Sequence, residues 1–436
     1  MIKRIYKGLD SHMQELLHGA SIAFILKIIA AGLGFTLNLV IARNLGASGS
    51  GLYFLSLMVV GIAVTVGQFG TSGTTIRFVS AAHAKDNWAE VKGVYRKSVL
   101  ITFTSSLILS LLLFLLAPFI AKIIFNKPDL EVILKYMSIS VLPISLYSLH
   151  ASALQGLKKI KAANIVVGIS APLLTIIGCY LLIPEQGIVG ASIAYTVSAI
   201  TTLLIGILLW KKNTSKHKEL SSTFKVRNIL KSCIPLLSVS LFNLILTLSA
   251  PLFLGVWGTE EEVGVFHIAN RVAMLTSFIL VAVNSIFAPK LSACFAKKNL
   301  YLAGELVRKV TIILVFITTP IIIPMIFFSE EIMLIFGDEF ASGSNLLIVL
   351  ALSQFINVAT GPVSQILIMS GNEVKLKNAF AISAICVLCS SYYLILEFKA
   401  LGAAYSVALG VAMSNIIALF YVYKHVNIHI FNKSCQ

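Results

Sequence analysis

Lys27 and Arg271 each lie deep inside a long apolar run, and none of the 18 Asp and Glu residues falls in the middle of such a run to pair with them. A charge in hydrocarbon costs on the order of 3 kcal/mol or more, so each cation is expected to face a cavity or a partner. With no carboxylate nearby, the guest that suits them is an anion. Helical spacing adds hydrogen-bonding side chains beside them. Lys27, Ala31, Gly34 and Asn38 share one helix face, as do Thr65, Gln68, Ser72 and Thr75. Further stripes are Ser240, Asn243 and Thr247; His267, Asn270, Arg271 and Met274; and Gln354, Asn357, Gly361 and Gln365. Together they suggest a polar cleft, with Asn38, Gln68, Asn243, Asn270 and Asn357 as candidate cavity-lining groups. Plainer explanations stand beside this one: Lys27 snorkels, Arg271 caps helix carbonyls, and the stripes hydrogen-bond between helices. His267, one turn from Arg271, is a candidate coupling group because imidazole titrates near neutrality; the alternative is an interfacial histidine without a role.

The elements that must hold these residues are membrane spans. The chain has 436 residues, 58% hydrophobic and only 12% charged, with mean hydropathy +0.93. A soluble domain carries about a quarter charged residues. Apolar runs recur at 18–42, 51–76, 98–121, 132–154, 162–183, 188–210, 229–256, 264–288, 310–328, 344–369, 378–397 and 401–423, each near the roughly 20 residues that a bilayer requires. This pattern excludes a soluble enzyme, a secreted disulfide scaffold and a disordered chain, and it predicts an all-α polytopic membrane protein. The first run is too long for a signal-peptide core and reads as a retained span. Cys386 and Cys389 form a CxxC inside a span, where small packing residues explain it better than metal or redox chemistry. No metal or cofactor is expected.

The net charge of +16 therefore speaks to topology and not to nucleic acid. Alternate connecting segments, the two termini among them, hold 27 Lys and Arg, whereas the other set holds five: Arg43, Lys122, Lys127, Lys135 and Lys399. The imbalance places both termini in the cytoplasm. Glu260-Glu261-Glu262, Glu330-Glu331 and Asp338-Glu339 then fall outside. Val79–Ile101 resembles Leu291–Ile313 at a separation of 212 residues, with Ser80/Ser292, Asn87/Asn299, Arg96/Arg308 and Lys97/Lys309 among the identities, and the same offset pairs Gly46 with Gly258. The expected organisation is two parallel six-helix repeats, 1–210 and 229–436, joined by a basic cytoplasmic linker at 211–228. No Walker, HExxH or GxSxG motif is present, so ATP-driven pumping and hydrolysis are both disfavoured.

Ala42-Arg43-Asn44-Leu45-Gly46 followed by Gly51-Leu52-Tyr53 resembles the polysaccharide transporter family, the Wzx-type O-antigen flippases. They belong to the superfamily that also holds multidrug exporters and lipid II flippases. Gly156-Leu157-Lys158-Lys159, Gly371-Asn372-Glu373, Gly187-Ile188-Val189-Gly190-Ala191 and Leu401-Gly402-Ala403-Ala404 fit the same pattern. The resemblance implies two six-helix bundles set in a V around a central cationic cavity with alternating access. It implies an undecaprenyl-pyrophosphate-linked oligosaccharide as substrate, with polysaccharide polymerase or chain-length machinery as a candidate partner, in the bacterial inner membrane. Arg271 matches in location an arginine of lipid II flippases, whereas Lys27 only lies near their first-span arginines. Both would hold the pyrophosphate. Neither the two further C-terminal helices of lipid II flippases nor the acidic site of multidrug exporters is matched. A multidrug-type small-molecule exporter and a membrane sugar polymerase are the competing readings; the missing membrane carboxylate counts against the first, and the short outer loops against the second.

Overall fold

The computed structural model describes residues 11–215, 226–296 and 299–426. Part of the expected linker (216–225), the charged ends (1–10 and 427–436) and Lys297 of the repeat lie outside the described residues. Among those described there is no strand. The α-helices are α1 Ser11–Gln68, α2 Thr71–Ala84, α3 Trp88–Phe119, α4 Leu130–Ser138, α5 Val141–Gly156, α6 Ile160–Asn164, α7 Ala171–Thr214 and α8 Val226–Trp257. They continue as α9 Glu260–Ala273, α10 Ser277–Ala296, α11 Leu300–Phe327, α12 Ser329–Leu334, α13 Ser344–Ala359, α14 Val363–Met369 and α15 Glu373–Val426.

Among the described residues, seven continuous helical stretches are long and apolar enough to cross a membrane, or eight when the bent pair α4–α5 counts as one span. Some of these stretches hold two crossings. A straight helix of 58 residues such as α1 would be about 87 Å long, nearly three times the hydrocarbon thickness. It is broken at Gly46, where φ is +67°, a conformation that glycine reaches without a Cβ clash. α7 breaks at Gly187 and folds back on itself. Thr175 and Ser198 hydrogen-bond across its two arms at 2.6 Å, and a Cβ on Gly178 would lie 2.8 Å from that of Ala194. α15 does the same at Lys399, with Gly410 pressed against Val387. Small residues at such contacts let helices approach closely where hydrophobicity alone cannot drive association.

The 212-residue repeat is visible in the backbone. The break at Gly46 matches the α8–α9 junction at Gly258, and the break at Gly187 matches the one at Lys399. α3 begins at Trp88 under an N-cap from Asn87, whose side chain accepts from Glu90 N at 3.1 Å. α11 begins 212 residues later at Leu300, under Asn299, which accepts from Leu302 N at 3.0 Å. An Asn cap satisfies one of the free N–H groups at a helix start, so the same residue recurs where the same chain turn recurs. Ser48 and Glu260, themselves 212 apart, hydrogen-bond to each other at 2.7 Å. Equivalent positions can touch only near the axis that relates them, so that axis runs between the second arm of α1 and α9.

Besides the changes of helix within 132–154 and 264–288, two expected spans are interrupted at residues of positive φ. The run 51–76 is broken at Phe69 and Gly70, both with positive φ, so Thr65 and Gln68 lie on α1 while Ser72 and Thr75 lie on α2. The carbonyls released there are taken by hydroxyls, Gly67 O by Ser105 at 2.5 Å and Gln68 O by Thr71 at 2.6 Å, which is what makes a break tolerable at membrane depth. The run 344–369 is broken at Gly361, with φ +75°, just before Pro362.

Candidate functional site

A cavity of about 470 Å³ lies between the two repeats. Leu57, Met58 and Gly61 of α1 form one side. Asn243 and Thr247 of α8, His267, Asn270 and Arg271 of α9, Gln354 of α13 and Ser414 of α15 face it from the other. None of the lining residues is a carboxylate. The volume falls within the ~300–1,000 Å³ of small-molecule pockets, and the lining mixes a broad apolar surface with a few convergent polar groups, as such sites do.

Arg271 is the charge of the site, and its neighbours orient it. Its Nε donates to Nε2 of His267 at 3.2 Å, which requires a neutral imidazole with its proton on Nδ1. The His267 ring stacks on Phe54 from the other repeat, with centroids 3.8 Å apart and planes 15° from parallel. His267 is buried and Arg271 is exposed to the cavity. With Nε engaged, the two terminal nitrogens of the guanidinium have no hydrogen-bond partner among the described residues and offer the fork that binds a carboxylate or phosphate edge with two hydrogen bonds.

Behind the cavity wall, Gln354 anchors a polar network inside the second repeat. Ser277 Oγ donates to Gln354 Oε1 at 2.6 Å, and Asn357 Nδ2 reaches the same oxygen at 3.3 Å. Asn415 Nδ2 donates to Asn357 Oδ1 at 3.1 Å, and Thr360 Oγ1 donates to Asn415 Oδ1 at 3.1 Å. Asn357 thus faces this network and does not line the cavity. Ser277, Thr360 and Asn415 were not singled out from sequence. Asn415 stands beside Ser414 within an apolar run, a visible signal, but its partners are distant in sequence.

Of the other candidates, Asn243, Asn270 and His267 line the cavity with Arg271. Lys27, Asn38 and Gln68 do not. Lys27 is exposed on the first arm of α1 between exposed isoleucines 25, 28 and 29. Asn38 donates to the carbonyl of Gly34 on its own helix at 2.6 Å, and Gln68 accepts from Ser72 across the α1–α2 break at 3.2 Å.

The end of the cavity that the charge count assigns to the outside is closed by the two repeats crossing at Gly51 and Gly264. A Cβ on Gly51 would overlap the backbone carbonyl of Glu260, and one on Gly264 would overlap that of Ala47. Glu339 accepts from Ala47 N at 2.6 Å and Glu260 from Ser48 Oγ, so two carboxylates of the second repeat sit at the start of the second arm of α1, where the helix dipole favours negative charge. Each of the five cations expected on this side has a fixed partner. Arg43 donates to Ile335 O, Lys127 to Gly255 O and Gly258 O, and Lys399 to Trp257 O. Lys122 and Lys135 pair with Glu131. Burial pushes the Lys127 ammonium down from its ordinary pKa, against the pull of Glu260 and Glu262.

Residues 16–295 match the family described as polysaccharide biosynthesis protein, and residues 233–396 match the family described as MatE. The chain is 25% identical over 422 residues to the probable low-salt glycan biosynthesis flippase Agl15 of Haloferax volcanii, covering 93% of this chain and 83% of that protein. Its fold matches that of the lipid II flippase MurJ in an inward closed conformation, with TM-score 0.73 and 18% identity over 92% of this chain and 87% of that one. It likewise matches an inward-facing multidrug resistance MATE family transporter of the MOP superfamily, with TM-score 0.70 and 16% identity over 94% and 98% of the two chains. At these identities the structural likeness is one of fold.

Proposed function

This chain belongs to the polysaccharide biosynthesis protein family, and we propose that it flips an undecaprenyl-pyrophosphate-linked oligosaccharide from the cytoplasmic to the outer leaflet of a bacterial inner membrane by alternating access. The observation that carries this reading is the cavity itself: one oriented guanidinium among amides and hydroxyls, with no carboxylate lining it. A pyrophosphate cannot cross hydrocarbon uncompensated, and sugar hydroxyls must stay hydrogen-bonded when they leave water. Arg271 receives the pyrophosphate on its free fork. Asn243, Asn270, Gln354 and Thr247 take over hydrogen bonds to the glycan, while the polyprenyl chain stays in the bilayer. Lys27, on the exposed first arm of α1, meets the anion only in a state that brings this arm toward the cavity.

No bond is made or broken; the repeats 1–210 and 229–436 rock against each other, the crossing at Gly51 and Gly264 closing the outer end in one state and parting in the other, and the site is exposed to one leaflet and then the other. His267 acts in this scheme as the group that orients Arg271. The match of residues 233–396 to MatE favours a second reading, a small-molecule exporter. A cationic drug would meet Arg271 with no acid to offset it. Deleting the gene and identifying what accumulates tests the proposal. The expected result is a lipid-linked oligosaccharide held on the cytoplasmic side; unchanged lipid-linked sugars together with new drug sensitivity would overturn it.

A further inference from the structure

A second cavity, of about 450 Å³, lies on the seam between α2 of the first repeat and α8 of the second, at the ends of both spans that the charge count assigns to the cytoplasm. It shares no lining residue with the central cavity. Arg77 of α2 and Lys231 of α8 line it, and Phe78, Pro235 and Leu236 supply apolar wall. Both cations are exposed, and among the described residues neither is in an ion pair with a carboxylate. The seam itself is tight. A Cβ on Gly70 would crowd the carbonyl of Cys233, Cys233 Sγ reaches Thr74 Oγ1 at 3.4 Å, and Gly73 faces the Leu236 side chain. Close packing thus holds two like charges, one from each repeat, beside a groove whose other wall is apolar.

We propose that this groove is a binding site for an anionic phospholipid, with the headgroup phosphate between Arg77 and Lys231 and an acyl chain along Phe78, Pro235 and Leu236. The combination of charge and depth carries the inference: two cations at the membrane–water boundary above an apolar wall fit a phosphodiester whose chains continue into the membrane, and basic residues at this level attract anionic lipid. Because one phosphate contacts both repeats, the bound lipid favours the state in which α2 and α8 are packed together. Binding is independent of the central site and of the substrate assigned to it.

The test is native mass spectrometry of the full-length protein released from membranes of defined composition. Phosphatidylglycerol is expected to be retained in preference to phosphatidylcholine. The Arg77→Gln/Lys231→Gln variant should lose that preference by roughly tenfold, the value of about 1.4 kcal/mol. Arg96→Gln, an exposed cation of α3 outside the groove, should leave it unchanged. Leu236→Trp, which fills the groove and keeps both charges, should also reduce retention and serves if the double variant folds poorly. Equal retention of the two lipids by the parent protein would overturn the proposal, as would an undiminished preference in both groove variants. Retention of a polyprenyl phosphate with none of phosphatidylglycerol would also overturn it, assigning the groove to the transported lipid.

Discussion

The crossing of α1 and α9 at Gly51 and Gly264 makes a quantitative test of the closed outer end. A Cβ at Gly264 would overlap the Ala47 carbonyl and stand 2.9 Å from Ser50 Oγ and 3.0 Å from Gly51 N. Two of these three atoms are backbone, so no rotamer change relieves the contact and the helices must separate. Overpacking of this kind costs about 1–3 kcal/mol. The cost falls on the closed state, since the two surfaces are apart when the outer end opens. The closed-to-open ratio should therefore fall by roughly 5- to 150-fold, with Gly264→Ala toward the low end and Gly264→Val toward the high end. The assay is cross-linking of Ser48→Cys with Glu260→Cys, positions whose native side-chain oxygens are 2.7 Å apart. The cysteine pair alone should cross-link rapidly with a short reagent, and adding Gly264→Val should slow the reaction by about the factor above. Gly32→Ala, where a Cβ meets nothing within 4 Å, should leave the rate unchanged. Equal rates with and without Gly264→Val, in proteins that purify alike, would refute the claim that this contact holds the end closed.

Other predictions follow from the site and its surroundings. Arg271→Ala should abolish surface glycan without loss of protein from the membrane, while Arg271→Lys should retain part of it because charge survives without the fork; normal glycan with Arg271→Ala at native expression would defeat the anion-site reading. Glu339→Gln removes the carboxylate that accepts from Ala47 N, a charge-assisted bond worth about 1.5–3 kcal/mol against about 1 for a neutral acceptor, so the same cross-link should slow severalfold. Reporters fused after Lys212 should read as cytoplasmic, and one inserted near Glu261 as external; an external signal at Lys212 would invert the orientation.

Where the chain repeats itself, its fold was legible. The Asn87/Asn299 pair is a cap whose physics is the same in both copies, and Gly46 and Gly258 mark the chain turn at equivalent points, with positive φ only at Gly46. The break at Phe69–Gly70 falls within 67–75, a glycine- and hydroxyl-rich stretch that reads equally well as a polar stripe along one continuous span. What makes the break tolerable, the Ser105 hydroxyl on Gly67 O, comes from another helix. Lys399 adopts a positive φ at the place where the first repeat has Gly187, so its side-chain identity gave no warning of a turn. At the site, Arg271, Asn270 and Asn243 were legible because polar residues in apolar runs are conspicuous. The same rule over-selected Asn38 and Gln68, which satisfy themselves on local partners, and Asn357, which serves an internal network. Sequence spacing says which residues share a helix face; it does not say whether that face meets a cavity or another helix.

The repeat also exposes an asymmetry that bears on transport. Shifting the polar lining residues back by 212 positions lands His267 on Leu55, Asn270 on Met58, Arg271 on Val59 and Asn243 on Ala31. The two copies share caps, turns and the axial crossing, yet hydrogen-bonding capacity toward the cavity has accumulated in the second, while the first contributes Leu57, Met58 and Gly61 as an apolar wall. A scaffold that alternates needs its hinge elements matched across the axis, which explains what stayed the same. A ligand with an anionic end and a hydroxylated body needs its polar groups on one rigid surface. If they were divided between two moving bodies, each half-cycle would pull the hydrogen-bonding set apart. With Arg271, Asn270 and Asn243 all on the second repeat, a bound headgroup keeps its contacts while the apolar wall slides past. The anion is therefore expected to travel with α8 and α9, and the first repeat to act as the gate.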